Sequence, residues 1–396
     1  MKDLTFDESQ RFVHIVTTAI DIAKKYGYGY IETPILEETA LFKRSVGDSS
    51  DIVSKEMYQF EDKGGNDVCM RPEGTAGVVR AFVHAKLDRQ PMKQKFYYYG
   101  PMFRYERPQK GRLREFHQFG CESFGEASVY EDFTIITMIS QIFEVLGIGF
   151  DLQINSLGCP ACMPPYKQNL VSFLTEIKKE LCEDCNRRID TNPIRVLDCK
   201  NQTCQSLLVN SPKLINNLCD DCDTDFNKLT ALLDNAGIQY EVDTNLVRGL
   251  DYYNKTAFEF VSNDIGSQSA IAGGGRYDKL VEFLDGKPTP AVGFAIGIER
   301  IMELVQMPEL SREGIYMGAM VEEAVKALFP LAAAKRKETK VTLEYNSKGF
   351  KSHMKGADKV SARYCVLIGE DELKNATVWV KDLESKEEKT VLLENF

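Results

Sequence analysis

Apolar residues return at helical spacing near the start of the chain, where Phe12, Val16, Ile20 and Ala23 fall on one side of a helix. Thr5 or Asp7 can cap that helix, and Gly27 and Gly29 end it. Residues 30–36 read as a strand broken by Pro34, which predicts an edge or an interface. Residues 42–54 lose periodicity and read as polar, irregular chain. Residues 57–60 and 68–70 form a hairpin around Lys63-Gly64-Gly65-Asn66, followed by a helix from Thr75 to about Ala85. Between 96 and 124 two strands flank a basic loop. Because side chains alternate along a strand, Phe116, Gln118, Gly120, Glu122 and Phe124 share one face. A half-buried strand has little reason to carry an amide and a carboxylate on one face unless something polar lies against them.

A strongly apolar helix is expected over 130–146, strands over 150–155, 240–242, 256–261 and 291–296, and a helix from Gly297 to Val305. Residues 156–238 break this pattern with cysteine, asparagine and proline between short helices. From Ile315 onward strand and helix alternate, ending in strands over 364–368, 377–381 and 389–393. That alternation predicts a small α/β domain with a largely parallel core, whereas the earlier part reads as α+β with an antiparallel sheet. The boundary falls between 306 and 314.

Composition narrows the class. The 396 residues are 43% hydrophobic and 27% charged, as in an ordinary globular protein. No apolar run is long enough to span a membrane and no apolar signal region opens the chain, so a cytoplasmic enzyme is expected. The net charge of −10 argues against coating nucleic acid indiscriminately, while leaving room for a local basic surface. The acidic excess lies in the first 310 residues; the last part is nearly neutral.

Four places carry candidate chemistry. The loop Glu106-Arg107-Pro108-Gln109-Lys110-Gly111-Arg112-Leu113-Arg114 holds four cations and suits closure over phosphates, or else is a solvated hairpin tip. Arg71-Pro72-Glu73-Gly74-Thr75, between a strand and a helix, is either a ligand contact or a simple cap. The run Ala272-Gly273-Gly274-Gly275 lets backbone approach a ligand, or marks a turn. Arg300 opens a helix against the macrodipole preference, which favours an anionic partner there, a ligand or a surface ion pair.

With these segments in order, the chain resembles the class II aminoacyl-tRNA synthetases, and within them the histidyl-tRNA synthetases. The class motifs are the helix and strand ending at Pro34, the 96–124 hairpin with Phe103-Arg104-Tyr105-Glu106, and Gly297-Ile298-Glu299-Arg300. Two stretches resemble the histidine branch in particular: Leu246-Val247-Arg248-Gly249-Leu250-Asp251-Tyr252-Tyr253 and Ala272-Gly273-Gly274-Gly275-Arg276-Tyr277-Asp278. The resemblance implies a catalytic domain over 1–310 with a mainly antiparallel sheet flanked by helices. It also implies a helical, Cys-rich insertion over 156–238 and an anticodon-binding α/β domain over 315–396. The implied reaction joins L-histidine to the 3′ end of histidine tRNA through histidyl-adenylate, using ATP with Mg2+, in a homodimer paired through the Pro34 segment. By resemblance Arg104 and Arg248 are the catalytic cations. Arg104, Glu106, Arg112 and Arg300 would bind ATP. Glu73, Gly74, Thr75, Arg104, Gln118, Glu122, Arg248, Tyr252 and Tyr253 would bind histidine.

Eleven cysteines without a signal peptide are not a disulfide framework, and eight of them lie between Cys159 and Cys222. They include Cys159-Pro160-Ala161-Cys162, Cys182-Glu183-Asp184-Cys185 and Cys219-Asp220-Asp221-Cys222, with Cys199 and Cys204 between. Paired thiolates from one turn can share a tetrahedral ion. The expectation is a single structural Zn2+ held by Cys182, Cys185, Cys219 and Cys222; the alternative is reduced cysteines without metal. Two rival readings remain at this level: the regulatory paralogue of histidine biosynthesis, and a zinc-dependent RNA-binding or redox protein. The first typically lacks the arginine-tyrosine stretch and the C-terminal domain. The second leaves Arg104, Gln118, Glu122 and Arg248 without a purpose.

Overall fold

A computed structural model describes residues 3–47, 50–106, 111–197, 199, 201–246, 250–265, 270–307 and 311–396. The chain forms two compact units, Met1–Gln306 and Met307–Phe396. In the first, the strands in chain order are β1 (Gly29–Tyr30), β2 (Leu36–Glu38), β3 (Gln59–Glu61), β4 (Asp67–Met70), β5 (Gln94–Phe103), β6 (Glu115–Phe124), β7 (Asp151–Ser156), β8 (Glu241–Val242), β9 (Asn254–Val261), β10 (Ala270–Arg276) and β11 (Ala291–Gly297). Eight of them make one sheet in the order β1-β5-β6-β11-β10-β9-β7-β8, antiparallel except at its two ends. The strands β2-β4-β3 form a small separate sheet.

Alternation on β6 sets the layers. Phe119 and Cys121 point into a core shared with the helices Phe6–Lys25 and Val129–Val145. Phe124, on the opposite face, stacks on Phe82 of the helix Thr75–His84 with ring centroids 4.3 Å apart. The buried pair Arg276–Asp132, 2.6 Å apart, ties β10 to the helix Val129–Val145.

Three local readings change. Pro34 does not merely weaken one strand: it lies between β1 and β2, which join different sheets, because proline offers no amide to continue a ladder. Part of the segment expected to be irregular is the helix Thr39–Val46, which buries Leu41, Phe42 and Val46; a helical turn, Ile52–Glu56, follows. Its apolar stripe is two turns long and is diluted by Lys43 and Arg44, too short to register as a period. The glycine run is strand β10 rather than a turn. A Cβ at Gly274 would strike the Gly293 carbonyl, and one at Gly275 (φ +156°) the Thr256 carbonyl, so these glycines let neighbouring strands close in.

Between β7 and β8 the chain folds into short helices, chiefly Met163–Glu176, Glu183–Thr191, Gln202–Leu208 and Asp220–Asn235. Their core is small, and cysteines supply much of it: Cys162, Cys185, Cys199, Cys204 and Cys222 are buried beside Tyr166, Leu170, Leu174 and Ile189.

The second unit contains β12 (Ile315–Ala319), β13 (Val341–Leu343), β14 (Tyr364–Ile368), β15 (Thr377–Asp382) and β16 (Glu388–Leu392). The sheet order is β13-β12-β14-β15-β16, parallel over the first three strands and antiparallel over the last two. Helices Glu322–Lys335 and Phe350–Lys359 follow the expected alternation; the short helix Glu370–Lys374 was not anticipated.

Candidate active site

The register of the large sheet gathers the polar positions. Gln118 pairs with Gly100 on one side and Gly297 on the other, while Glu122 pairs with Phe96 and Gly293. Arg104 follows the end of β5, and Arg300 lies just past the end of β11, so both reach the same end of the sheet. A cleft of about 200 Å³ opens there, lined by Glu73, Thr75, Arg104, Glu106, Arg112, Gln118, Tyr252, Tyr253 and Arg300. These nine were all anticipated as ligand-binding. Gly74 does not line the cleft; it leaves room for the Tyr98 ring, on which a Cβ would land. Arg248 lies outside the described residues, as do residues 107–110 of the basic loop.

One half of the cleft is cationic. Arg104 donates from Nε to the Pro72 carbonyl at 2.9 Å and rests 5.2 Å from the centre of the Phe116 ring. Arg112 pairs with Glu106 at 2.8 Å. Arg300 donates to the carbonyls of Gly111 and Ala270. Burial first, and then the nearby Arg112 and Arg104, push the Arg300 guanidinium below its ordinary pKa. Three guanidiniums that repel one another in a half-buried cleft form a receptor for a polyanion.

The other half is a nest of carboxyls and phenols. Glu73 accepts the amides of Thr75 (2.7 Å) and Ala76 (2.8 Å), so it caps the helix Thr75–His84 while also lining the cleft. The capping reading of that turn is thus seen directly, and the same turn places Glu73 and Thr75 on the cleft wall. Arg71 points elsewhere, bonding the carbonyls of Thr33 and Pro101. Glu122 is fully buried, one hydrogen bond beneath the cleft: Thr75 Oγ1 donates to it at 2.7 Å, and the hydroxyls of Tyr98 and Tyr277 also donate. Burial, reinforced by Glu73, pushes its pKa up to about 8, against the opposing pull of those hydroxyls. Gly293 makes the space, since a Cβ there would overlap the Glu122 carboxylate. Tyr252, Tyr253 and Tyr277 pack ring against ring, 4.6 to 6.4 Å between centroids, and Tyr252 donates weakly to Glu73 at 3.4 Å.

Gln118 Oε1 and Arg112 Nε, both on cleft-lining residues, are two of the buried polar atoms that have no hydrogen-bond partner among the described residues. A buried amide oxygen facing a cleft with its valence unfilled asks for a polar ligand. Several contributors were not singled out from sequence. Glu259 and Glu299 line the cleft, and Glu299 also accepts the His117 amide and contacts His117 Nδ1 at 2.7 Å, binding its helix to β6. Tyr98 and Tyr277 hold Glu122. Tyr98 and Phe116 could have been found from their place in the aromatic hairpin, but nothing local distinguishes Glu259.

The cysteines do not pair as expected. Cys182 and Cys185 converge with Cys199 and Cys204, whereas Cys219 and Cys222 converge with Cys159 and Cys162. The proposed set of Cys182, Cys185, Cys219 and Cys222 is therefore wrong: each pair closes on a different partner.

The profile of the histidyl-tRNA synthetase family matches residues 1–160 and 205–301, and that of the anticodon binding domain matches residues 318–396. The chain belongs to the histidyl-tRNA synthetase family. It is 84% identical to a histidine–tRNA ligase of Sulfurovum sp. (strain NBC37-1) over 99% of its length and 98% of that protein, and 63% identical to one of Sulfurimonas denitrificans over 100% and 98%. The apo histidyl-tRNA synthetase of S. aureus superimposes with a TM-score of 0.82 at 32% identity, covering 100% of this chain and 96% of that one. The central antiparallel sheet and the separate C-terminal sheet are thus the synthetase fold. Residues 161–204, which carry five of the clustered cysteines, fall between the matched stretches of the synthetase profile.

Proposed function

We propose that this chain activates L-histidine with ATP, supplied as its magnesium complex, and transfers the histidyl group to the 3′ end of histidine tRNA. The observation that carries the reading is one cleft lined by Arg104, Arg112, Arg300 and a Gln118 whose buried Oε1 lacks a hydrogen-bond partner among the described residues, with Glu122 protonated beneath. In the first step the histidine carboxylate attacks the α-phosphate in line. Arg104 neutralises charge on both reacting groups, and Arg112 and Arg300 hold the remaining phosphates. Glu106 orients Arg112 and contacts the adenine. Arg248 is assigned, by family resemblance, the side opposite Arg104.

Glu73, Thr75 and Gln118 take the amino group and imidazole of histidine, with Tyr252 and Tyr253 as walls. Glu122 acts through Thr75: a carboxyl that keeps its proton can donate as well as accept, which suits a ring carrying one donor and one acceptor. An apolar isostere would leave these groups unpaired and be rejected strongly. The nearly neutral C-terminal unit is assigned to the anticodon. The chain works in the cytoplasm; no described helix is long and apolar enough to cross a membrane. It pairs as a homodimer through the Pro34 segment, where Tyr30 on β1, Ile35, and Leu36 at the start of β2 are exposed, β1 and β2 each being the edge strand of its own sheet. A monomeric mass in ultracentrifugation at micromolar concentration would contradict the dimer.

The test of activity is histidine-dependent exchange of pyrophosphate into ATP. Intact protein exchanges, while Arg104→Ala and Arg248→Ala each lose at least about a thousandfold with unchanged melting. No exchange in the intact protein would favour the regulatory paralogue instead.

A further inference from the structure

The helical insertion holds eight thiols that the proposed aminoacylation does not use, gathered in two tetrads. We infer that each tetrad, Cys159/Cys162/Cys219/Cys222 and Cys182/Cys185/Cys199/Cys204, is a structural tetrathiolate site for one Zn2+, giving two ions per chain.

The spacing argues for a single ion in each. Within either tetrad all four sulfurs lie within 4.8 Å of one another. Cys159 Sγ is 3.7 Å from the sulfurs of both Cys162 and Cys219, and Cys182 Sγ is 3.9 Å from that of Cys199. A zinc–thiolate bond of about 2.3 Å in a tetrahedron sets its edges at about 3.8 Å. An iron–sulfur cluster, with several irons between its thiolates, would hold the sulfurs farther apart. All eleven cysteines are free thiols, and the other three, Cys69, Cys121 and Cys365, are buried separately outside the tetrads.

The two sites are built alike. Cys182 and Cys219 each occupy the position just before a helix, with ψ of 162° in both, and their partners Cys185 and Cys222 lie in the first turn. Leucine precedes each pair, at Leu181 and Leu218. In each site one of these leading cysteines donates its backbone amide to a sulfur of the partner pair: Cys182 to Cys204 Sγ at 3.3 Å and Cys219 to Cys162 Sγ at 3.2 Å. The Asn201 amide reaches Cys199 Sγ at 3.5 Å. Such amide donors stabilise thiolate charge. Cysteines make up five of the thirteen buried residues of the insertion core, and small cores of this kind are where a metal serves as a staple.

The staples also bear on the neighbouring cleft. Between Cys185 and Cys199 lie Asn192 and Arg195, and both bond Asp251, Arg195 at 2.8 Å. Asp251 directly precedes Tyr252 and Tyr253. Gly158, beside Cys159, accepts the Lys255 amide at 2.7 Å. The two ions thus brace, from either side, the segment that forms the aromatic wall.

Elemental analysis of purified full-length protein tests this. The expected result is two zinc per chain, falling to one in Cys159→Ser and to one in Cys199→Ser. Zinc below about one-tenth of an equivalent, one equivalent in the intact protein, content unchanged in those variants, or iron in place of zinc would overturn it. Should the variants not fold, cobalt exchanged into the intact protein supplies the second measurement. Two equivalents with intense thiolate-to-cobalt absorption are expected; fewer than two, or none of that absorption, refutes the pair of sites.

Discussion

Glu122 concentrates the residue-scale chemistry of this cleft. Its carboxyl keeps its proton to about pH 8 when folded, against an ordinary value of 4.5. The stability linked to the protonated form is complete below pH 4.5 and is lost as pH rises through 8. Thermal melting of wild type and Glu122→Gln across that range should show the wild type losing on the order of a few kcal/mol relative to the variant. Equal slopes would mean that Glu122 ionises as it does in the unfolded chain. Glu122→Ala, which removes the acceptor that orders Thr75, should raise the KM for histidine in exchange far more than the KM for ATP.

At the scale of elements, the sheet depends on a few close approaches and one buried ion pair. Arg276 and Asp132 join β10 to the helix Val129–Val145 with almost no exposure of either side chain. Asp132→Ala leaves a buried guanidinium facing only Asp278 and two carbonyls, and should cost about 3–5 kcal/mol in urea unfolding. Gly74 and Gly120 both lie against the Tyr98 ring, where a Cβ would overlap it. Gly120→Ala should therefore destabilise by about 1–3 kcal/mol and disturb the Tyr98–Glu122 contact; a neutral outcome would show that Tyr98 can move aside.

For the whole molecule, two units with separate cores divide the labour. The cleft is made entirely of residues before Gln306. A chain ending near 306 should keep histidine-dependent exchange within about tenfold of the full chain, while charging of histidine tRNA falls by at least about a hundredfold; each factor of ten is about 1.4 kcal/mol of lost transition-state binding. Loss of exchange on truncation would mean that the first unit needs the second to fold.

Local pattern alone determined much of this protein. The 3.6-residue repeat of Phe12, Val16, Ile20 and Ala23 and the two-residue alternation of β6 are properties of short stretches, and the structure reproduces both. Gln118 could be read as facing a polar site because an amide on a half-buried strand face needs a partner, and it does line the cleft. What residues far apart in the chain do to one another was not legible. Tyr277 and Glu122 meet only because β11 lies between β6 and β10, so the depth of that carboxyl beneath the cleft is a consequence of strand order. The cysteines make the same point. A CxxC pair fixes two thiols on one turn, but which other pair completes the tetrahedron depends on how segments distant in the chain are packed, Cys182 meeting Cys199 across 17 residues and Cys159 meeting Cys219 across 60. Only tertiary structure could decide that Cys182 and Cys185 close with Cys199 and Cys204, leaving Cys219 and Cys222 to Cys159 and Cys162.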